Sequence, residues 1–334
     1  MYRIYFLVFF LLATITITAQ SVEGYLKEGI GYHDDGDYDL AISAYQKALE
    51  LDPKSALANY EIAMTYFQTG DHKNALKYSS KALKVKNDNP VPAIVIKGSA
   101  LDMLGKTEKS IEFLEKAIAE HEPYYLLHYN TALNYYKLND NVNASRHCLE
   151  AIAINTSHAS SYYLLSSSEA RRDHPTQSLL ATYFFLFLEP ESFRSKDAYQ
   201  LMMNQLSVGG DKSAGPTETN ITLNLNSEFA TADMLVKMFG ATRKTDLNKD
   251  LTEDELFIKN TGTLFSIIGE QRETNETENI WWDFYIPFFF DIEKSGHLEA
   301  FCKYITQGEN EASYRWLEEN QDKVQAFADW LDKE

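Results

Sequence analysis

Several groups of side chains have types and spacings that invite a chemical reading. Asp246, Asn248 and Asp250 occupy the first, third and fifth places of a calcium-type loop. The sixth place is Leu251, where the loop needs glycine for its sharp turn, and the twelfth is Phe257, where a bidentate Glu must close the cage. A solvated loop leading into a helix cap at Thr252 is the better reading. Asp35, Asp37 and Asp39 alternate in the same way and, in isolation, resemble a metal cluster. Eight histidines are scattered, and no pair stands four apart beside a glutamate as a zinc helix requires. Cys148 and Cys302 make neither a disulfide framework nor a multi-cysteine zinc site. There is no P-loop, dinucleotide-binding glycine run, HExxH or GxSxG. The expectation is no catalytic residue, no metal site, no cofactor and no enzymatic activity.

The elements that would position these groups are bounded by composition. A chain of 334 residues, 44% hydrophobic and 24% charged, can build one or two cored domains. Its 31 Lys plus Arg against 49 Asp plus Glu give a net charge of -18, which repels phosphate backbones. Nucleic acid is therefore not an expected partner.

One pattern recurs from Val22, Ala56, Val91, Tyr125 and Ala159, at spacings of 34, 35, 34 and 34 residues. The eighth place of each unit is small (Gly29, Ala63, Gly98, Ala132, Ser166), and so is the twentieth (Ala41, Ala75, Ser110, Ala144, Ser178). The twenty-seventh holds Ala48, Ala82, Ala117 and Ala151, broken by Phe185 in the fifth unit. Small residues at these places let two antiparallel helices cross closely. Between the helices stand Gly36, Gly70, Gly105, Asn139 and Asp173, where one helix must end and the chain turn.

This pattern resembles the tetratricopeptide repeat (TPR) family, and residues 36–53 (GDYDLAISAYQKALELDP) follow its consensus closely. The resemblance covers residues 22–190 and weakens in the fifth unit, where Glu169 and Thr182 replace aromatic residues. The usual Trp is replaced throughout, by Tyr25, Asn59, Ile94, His128 and Tyr162. The Asp35 cluster then coincides with an interhelical turn, which accounts for it structurally. Cys148 falls where the second helix of a repeat usually carries an aromatic, and so reads as a packed thiol.

The resemblance also implies a concave surface lined by places two, five, nine, twelve and thirteen of each first helix. In the second unit these are Leu57, Tyr60, Met64, Phe67 and Gln68, and in the fourth Leu126, Tyr129, Leu133, Tyr136 and Lys137. The family's clamp for a terminal carboxylate uses Lys at the fifth place, where this chain has Leu26, Tyr60, Val95, Tyr129 and Tyr163. The expected client is instead a protein or peptide with an apolar face, an amphipathic helix or an extended segment, held by Tyr60, Met64, Phe67, Tyr129, Leu133 and Tyr136.

Residues 1–19 read as a secretory signal. Arg3 precedes an uncharged apolar run ending at Ala19, too short and too diluted by Thr14, Thr16 and Thr18 to span a bilayer. An exported protein, periplasmic or extracellular and without an integral membrane span, is expected. The solenoid with a capping helix is placed at 20–206, a Gly-, Ser- and Pro-bearing linker at 207–219, and a helical region at 220–334. A short alternating run at 221–225 could be a strand. Thr252 and Glu255 have capping-box spacing. The last region holds all four Trp, and residues 281–290 carry seven aromatics interrupted by Pro287. Residues 20–190 have net charge -6 and residues 191–334 net charge -13.

The fold class expected is all-α: a five-pair TPR solenoid followed by an acidic, aromatic-rich helical region. The function expected is an exported protein-binding scaffold. Alternatives are a C-terminal enzyme or small-ligand domain presented by the repeats, or a C-terminal segment that masks the groove.

Overall fold

The computed structural model describes residues 21–86, 88–208, 227–242, 248, 250–272, 275 and 277–333. The signal segment at 1–19, the strand-like run at 221–225 and all of the linker except residues 207 and 208 lie outside them. The described residues form α-helices and one π-helical turn, without a strand. The fold class is therefore as expected, all-α with helix pairs of TPR type followed by a helical region. The helices fall into two compact units, Met1–Leu104 and Gly105–Glu334, with the boundary in the turn of the third pair.

The first unit contains α1 (Val22–Asp34), α2 (Tyr38–Leu51), α3 (Ala56–Gln68), α4 (His72–Ala82) and α5 (Val91–Met103). Ser21, Ser55 and Asp71 accept hydrogen bonds from backbone N–H groups at the starts of α1, α3 and α4, satisfying donors the helices cannot. Gly36 and Gly70 turn the chain with φ of +83° and +81°, a conformation other residues resist. The small residues do what their spacing implies. Ala41, Ala48, Ala63 and Ala75 are fully buried, and a Cβ on Gly29 would enter the ring of Tyr45. Tyr45 thus sits over Gly29, with Leu26 and Ile62 completing the local core.

The second unit begins with α6 (Thr107–Glu120), α7 (Tyr125–Lys137), α8 (Asn141–Ile154), α9 (Ala159–Arg171) and α10 (Pro175–Leu188). Asn139 and Asp173 take left-handed backbones at φ of 61° and 58°, in the turns where Gly36 and Gly70 stand in the first unit. The chain continues through α11 (Ser195–Gln205), α12 (Ala230–Thr242), α13 (Glu253–Arg272), α14 (Ile286–Lys294), α15 (Leu298–Thr306), α16 (Glu311–Glu319) and α17 (Gln321–Leu331). The Thr252 capping box forms reciprocally: Glu255 N–H donates to Thr252 Oγ1 (3.2 Å), and Thr252 N–H donates to Glu255 Oε2 (2.8 Å). No helix among the described residues is long and apolar enough to cross a membrane.

Helix α10 is apolar around most of its circumference and is buried from Pro175 to Leu186, as only a helix covered on several sides can be. Its cover comes from the C-terminal helices. The Tyr183 ring meets Phe265 (5.3 Å) and Phe289 (5.7 Å), and its hydroxyl bonds Thr261 (3.0 Å). Phe184 meets Phe284 (5.1 Å) and Phe288 (4.8 Å), and Phe187 meets Tyr304 (5.7 Å). Asp233 of α12 accepts the Thr176 N–H (3.1 Å), serving the N-terminus of α10 from a distant helix. One continuous core results, reaching from Ala132 to Phe327.

The aromatic segment is therefore core. Trp281–Tyr285 form the π-helical turn, in which Ile286 N–H reaches back to Trp281 O. Pro287 follows directly and supplies the cause. It has no N–H to donate, and its ring would clash with the carbonyl four residues back, so the turn before it widens.

Candidate protein-binding surfaces

The first-unit candidates lie on α3. Tyr60, Met64 and Phe67 are all half-buried, and Tyr60 and Met64, one turn apart, touch through hydroxyl and sulfur (3.5 Å). Phe67 leans against His72 of α4, ring centroids 5.3 Å apart. Beside Tyr60 opens a cleft of about 300 Å³ lined by Ala56, Leu57, Tyr60, Ala82, Asn89, Pro92 and Ala93. Leu57 is 50% exposed there. Its walls are mostly carbon, with Asn89 as the polar exception among the lining side chains. A dry cavity of ~150 Å³ accepts benzene, so this cleft has room for a leucine or phenylalanine side chain.

The second-unit candidates lie on α7 and have a different setting. Tyr129 packs edge-on against His158 (4.7 Å) and its hydroxyl meets Ser160; burial pushes the phenol up from its ordinary range. Leu133 is 37% exposed. Tyr136 lies under the guanidinium of Arg171, 3.8 Å from the ring centroid. Nearby, Arg194 donates to both oxygens of Glu189 (2.6 and 2.7 Å) and to Ser160 Oγ (2.9 Å), with its guanidinium 5.5 Å from the Tyr163 ring. The face is aromatic, as the sequence indicates, but interleaved with cations. Neither arginine was among the expected residues: the register would have found Arg171, the thirteenth place of the fifth repeat, whereas Arg194, beyond the repeats, carried no signal.

Between α6, α7 and α8 lies a polar cluster. The fully buried His147 ring sets Nε2 2.9 Å from Glu115 Oε1 and Nδ1 3.1 Å from His128 Nδ1. Tyr135 donates to Glu115 (3.0 Å), and Arg146 Nη2 lies 2.8 Å from His147 Nε2. A neutral His147 satisfies either Glu115, through Nε2–H, or Arg146, through the Nε2 lone pair, but not both at once. Burial pushes His128 and His147 below the usual imidazole range. Burial raises Glu115, but bonds from His147 and Tyr135 and the charge of Arg146 outweigh it, leaving the carboxyl low.

Cys148 and Cys302 are buried free thiols, both pushed up by burial, in keeping with packing rather than nucleophilic roles. Among the described residues no three His, Cys, Asp or Glu side chains gather as a metal site. The rings of residues 281–290 meet α9, α10 and the later helices. Among the described residues none makes a ring contact with Tyr129 or Tyr136.

Family models agree with the helix pairs. One described as TPR repeat matches residues 31–70, and one described as tetratricopeptide repeat matches residues 56–89 and 91–119. Those stretches are tetratricopeptide repeats. Among solved structures, PilW, a widely conserved type IV pilus biogenesis factor, is 15% identical, with 68% of this chain and 96% of that chain covered and a TM-score of 0.50. A thermophilic TPR protein from Thermus thermophilus, TTC0263, is 18% identical over 55% of this chain and 100% of that chain, TM-score 0.46. YrrB, a TPR protein with an unusual peptide-binding site, is 18% identical over 55% of this chain and 94% of its own, TM-score 0.42. At these identities the likeness is one of fold alone.

Proposed function

We propose that this protein is an exported protein-binding scaffold that takes an apolar peptide or helix against the α3 face, with the cleft beside Leu57 and Tyr60 as the anchor point. The cleft is the observation that carries the reading. An open, mostly apolar hollow of about 300 Å³ at the second and fifth places of a repeat suits one large apolar side chain of a partner. Met64 and Phe67 extend the same face and add adaptable contact area. Export is supported by the charge-free apolar run ending at Ala19.

Two results are expected. Tyr60→Ala, or Leu57→Asp, should weaken capture of the client from an extract of the producing cells by roughly 30-fold, the loss of one anchor of ~2 kcal/mol. Helicity by circular dichroism should persist. Unchanged capture by both variants would refute the α3 site. In addition, the protein purified from its natural source should begin at Gln20 by mass spectrometry; a chain beginning at Met1 and retained in the cytoplasm would refute export.

A further inference from the structure

We propose that the α7–α9 face of the second unit receives the carboxylate of an Asp or Glu side chain in an extended segment of a partner protein, with Arg171 as its principal contact. The inference rests on the scaffold reading above but concerns a different surface.

Pairing among the arginines of this stretch singles out Arg171. Arg172 is bound to the buried Glu169 (2.7 Å), Arg194 to Glu189 and Arg146 to Glu115. Two nearby carboxylates are committed too. Glu169 also holds His174 (2.8 Å), and Asp173 holds Lys237 (2.7 Å). Arg171 alone of the four makes no ion pair among the described residues. Its guanidinium carbon lies 3.8 Å from the Tyr136 ring centroid, and Nη1 donates to Asn139 Oδ1 (3.3 Å) and Tyr136 O (3.5 Å).

Arg171 is exposed, and among the described residues only its Nη1 has a hydrogen-bond partner, so Nη2 and Nε remain for a carboxylate. A guanidinium held by stacking has already lost much of its rotational freedom, so less is lost when a carboxylate bonds it at two points. The charge at the repeat positions has the same sense, with Asp197 of α11, close to Tyr163, as the opposing group. The concave places of α7 and α9 include Lys137 and Arg171 and no Asp or Glu, within a chain of net charge -18. Leu133 and the Tyr136 ring supply apolar contact on either side of the charge. A single exposed guanidinium without an ion pair matches one carboxylate on a side chain. A chain terminus would call for several converging donors, and the fifth and ninth places here, Tyr129, Leu133, Tyr163 and Ser167, supply no cation.

The test uses the full chain and three octapeptides alternating Leu with a polar residue: Glu with both ends blocked, Gln with both ends blocked, and Gln with a free C-terminal carboxylate. Binding is read by fluorescence anisotropy. The Glu peptide is expected to bind at least tenfold more tightly than either Gln peptide. Arg171→Gln should abolish that preference with unchanged circular dichroism, whereas Lys116→Gln, an exposed charge on α6, should leave it within twofold. Equal binding of Glu and Gln peptides, no binding of the Glu peptide up to millimolar concentration, a free-terminus Gln peptide as tight as the Glu peptide, or a preference surviving Arg171→Gln would each overturn the proposal. Tyr60→Ala should leave the acidic preference intact, so the fate of the α3 site is read separately.

Discussion

A chain ending at residue 208 is expected to lose the fold of its fifth repeat, not to yield a stable shortened solenoid. Tyr183, Phe184 and Phe187 of α10 are covered by rings from residues 265–304, which the truncation removes. At ~1.5–3 kcal/mol for each large apolar side chain returned to water, the loss is roughly 5–9 kcal/mol, comparable to the whole stability of an ordinary domain. Loss of Asp233 also leaves the Thr176 N–H at the start of α10 without its acceptor. Urea unfolding followed by circular dichroism should show a missing or much weakened transition, with increased binding of an apolar dye. A truncated chain melting at the full-length temperature, with no extra dye bound, would show that α10 does not need this cover.

The two units are expected to respond to pH in opposite directions. In the first unit Glu61 is buried on α3, and desolvation, with Asp34 adding repulsion, pushes its carboxyl from 4.5 up to about 7. The folded unit keeps this proton where the unfolded chain has released it. Its stabilising effect is full below pH 4.5 and is lost as pH rises through about 7, by roughly 3 kcal/mol. In the second unit His128, His147 and His158 lie below their ordinary 6.5, chiefly through burial. Here the unfolded chain binds the protons first. Stability is present above pH 6.5 and is lost as pH falls below it, at up to ~1.4 kcal/mol per pH unit for each histidine. Two protons also cannot share the 3.1 Å Nδ1 to Nδ1 line between His128 and His147. Glu115 acts in the same direction at lower pH, while Asp233, raised by burial, opposes it.

The sequence provides a way to read the units apart. All four tryptophans lie at or beyond residue 281, so tryptophan fluorescence reports the second unit alone. Its unfolding midpoint should fall between pH 7 and pH 5. Hydrogen exchange of α1–α4 should become slower over the same change after correction for the intrinsic rate, and Glu61→Gln should flatten that response. A tryptophan-detected midpoint that rises on acidification would contradict the assignment to the buried histidines.

Much of the repeat architecture was legible because its determinants are local. A turn that needs a left-handed residue declares itself as Gly36, Gly70, Gly105, Asn139 and Asp173, and all five have positive φ. Close helix crossings likewise declare themselves as small residues in register. The cleft beside Tyr60 was only half legible: Leu57 and Tyr60 follow from the concave register, but Pro92 and Ala93 join them through the packing of α5 against α3. Arg194 was invisible, since a residue beyond the last repeat has no register to betray it.

The sequence alone determined the helix pairs, their turns, the capping box at Thr252 and the aromatic places on α3 and α7, because each depends on backbone preference or side-chain size within a few tens of residues. Tertiary structure decided which aromatics are core and which are surface. Residues 281–290 and the rings of α7 look alike as lists of Tyr, Phe and Trp. The first group packs among α9, α10 and Phe229, whereas Tyr136 lies under a guanidinium, because burial depends on what another part of the chain brings to the same place, and no local pattern encodes that.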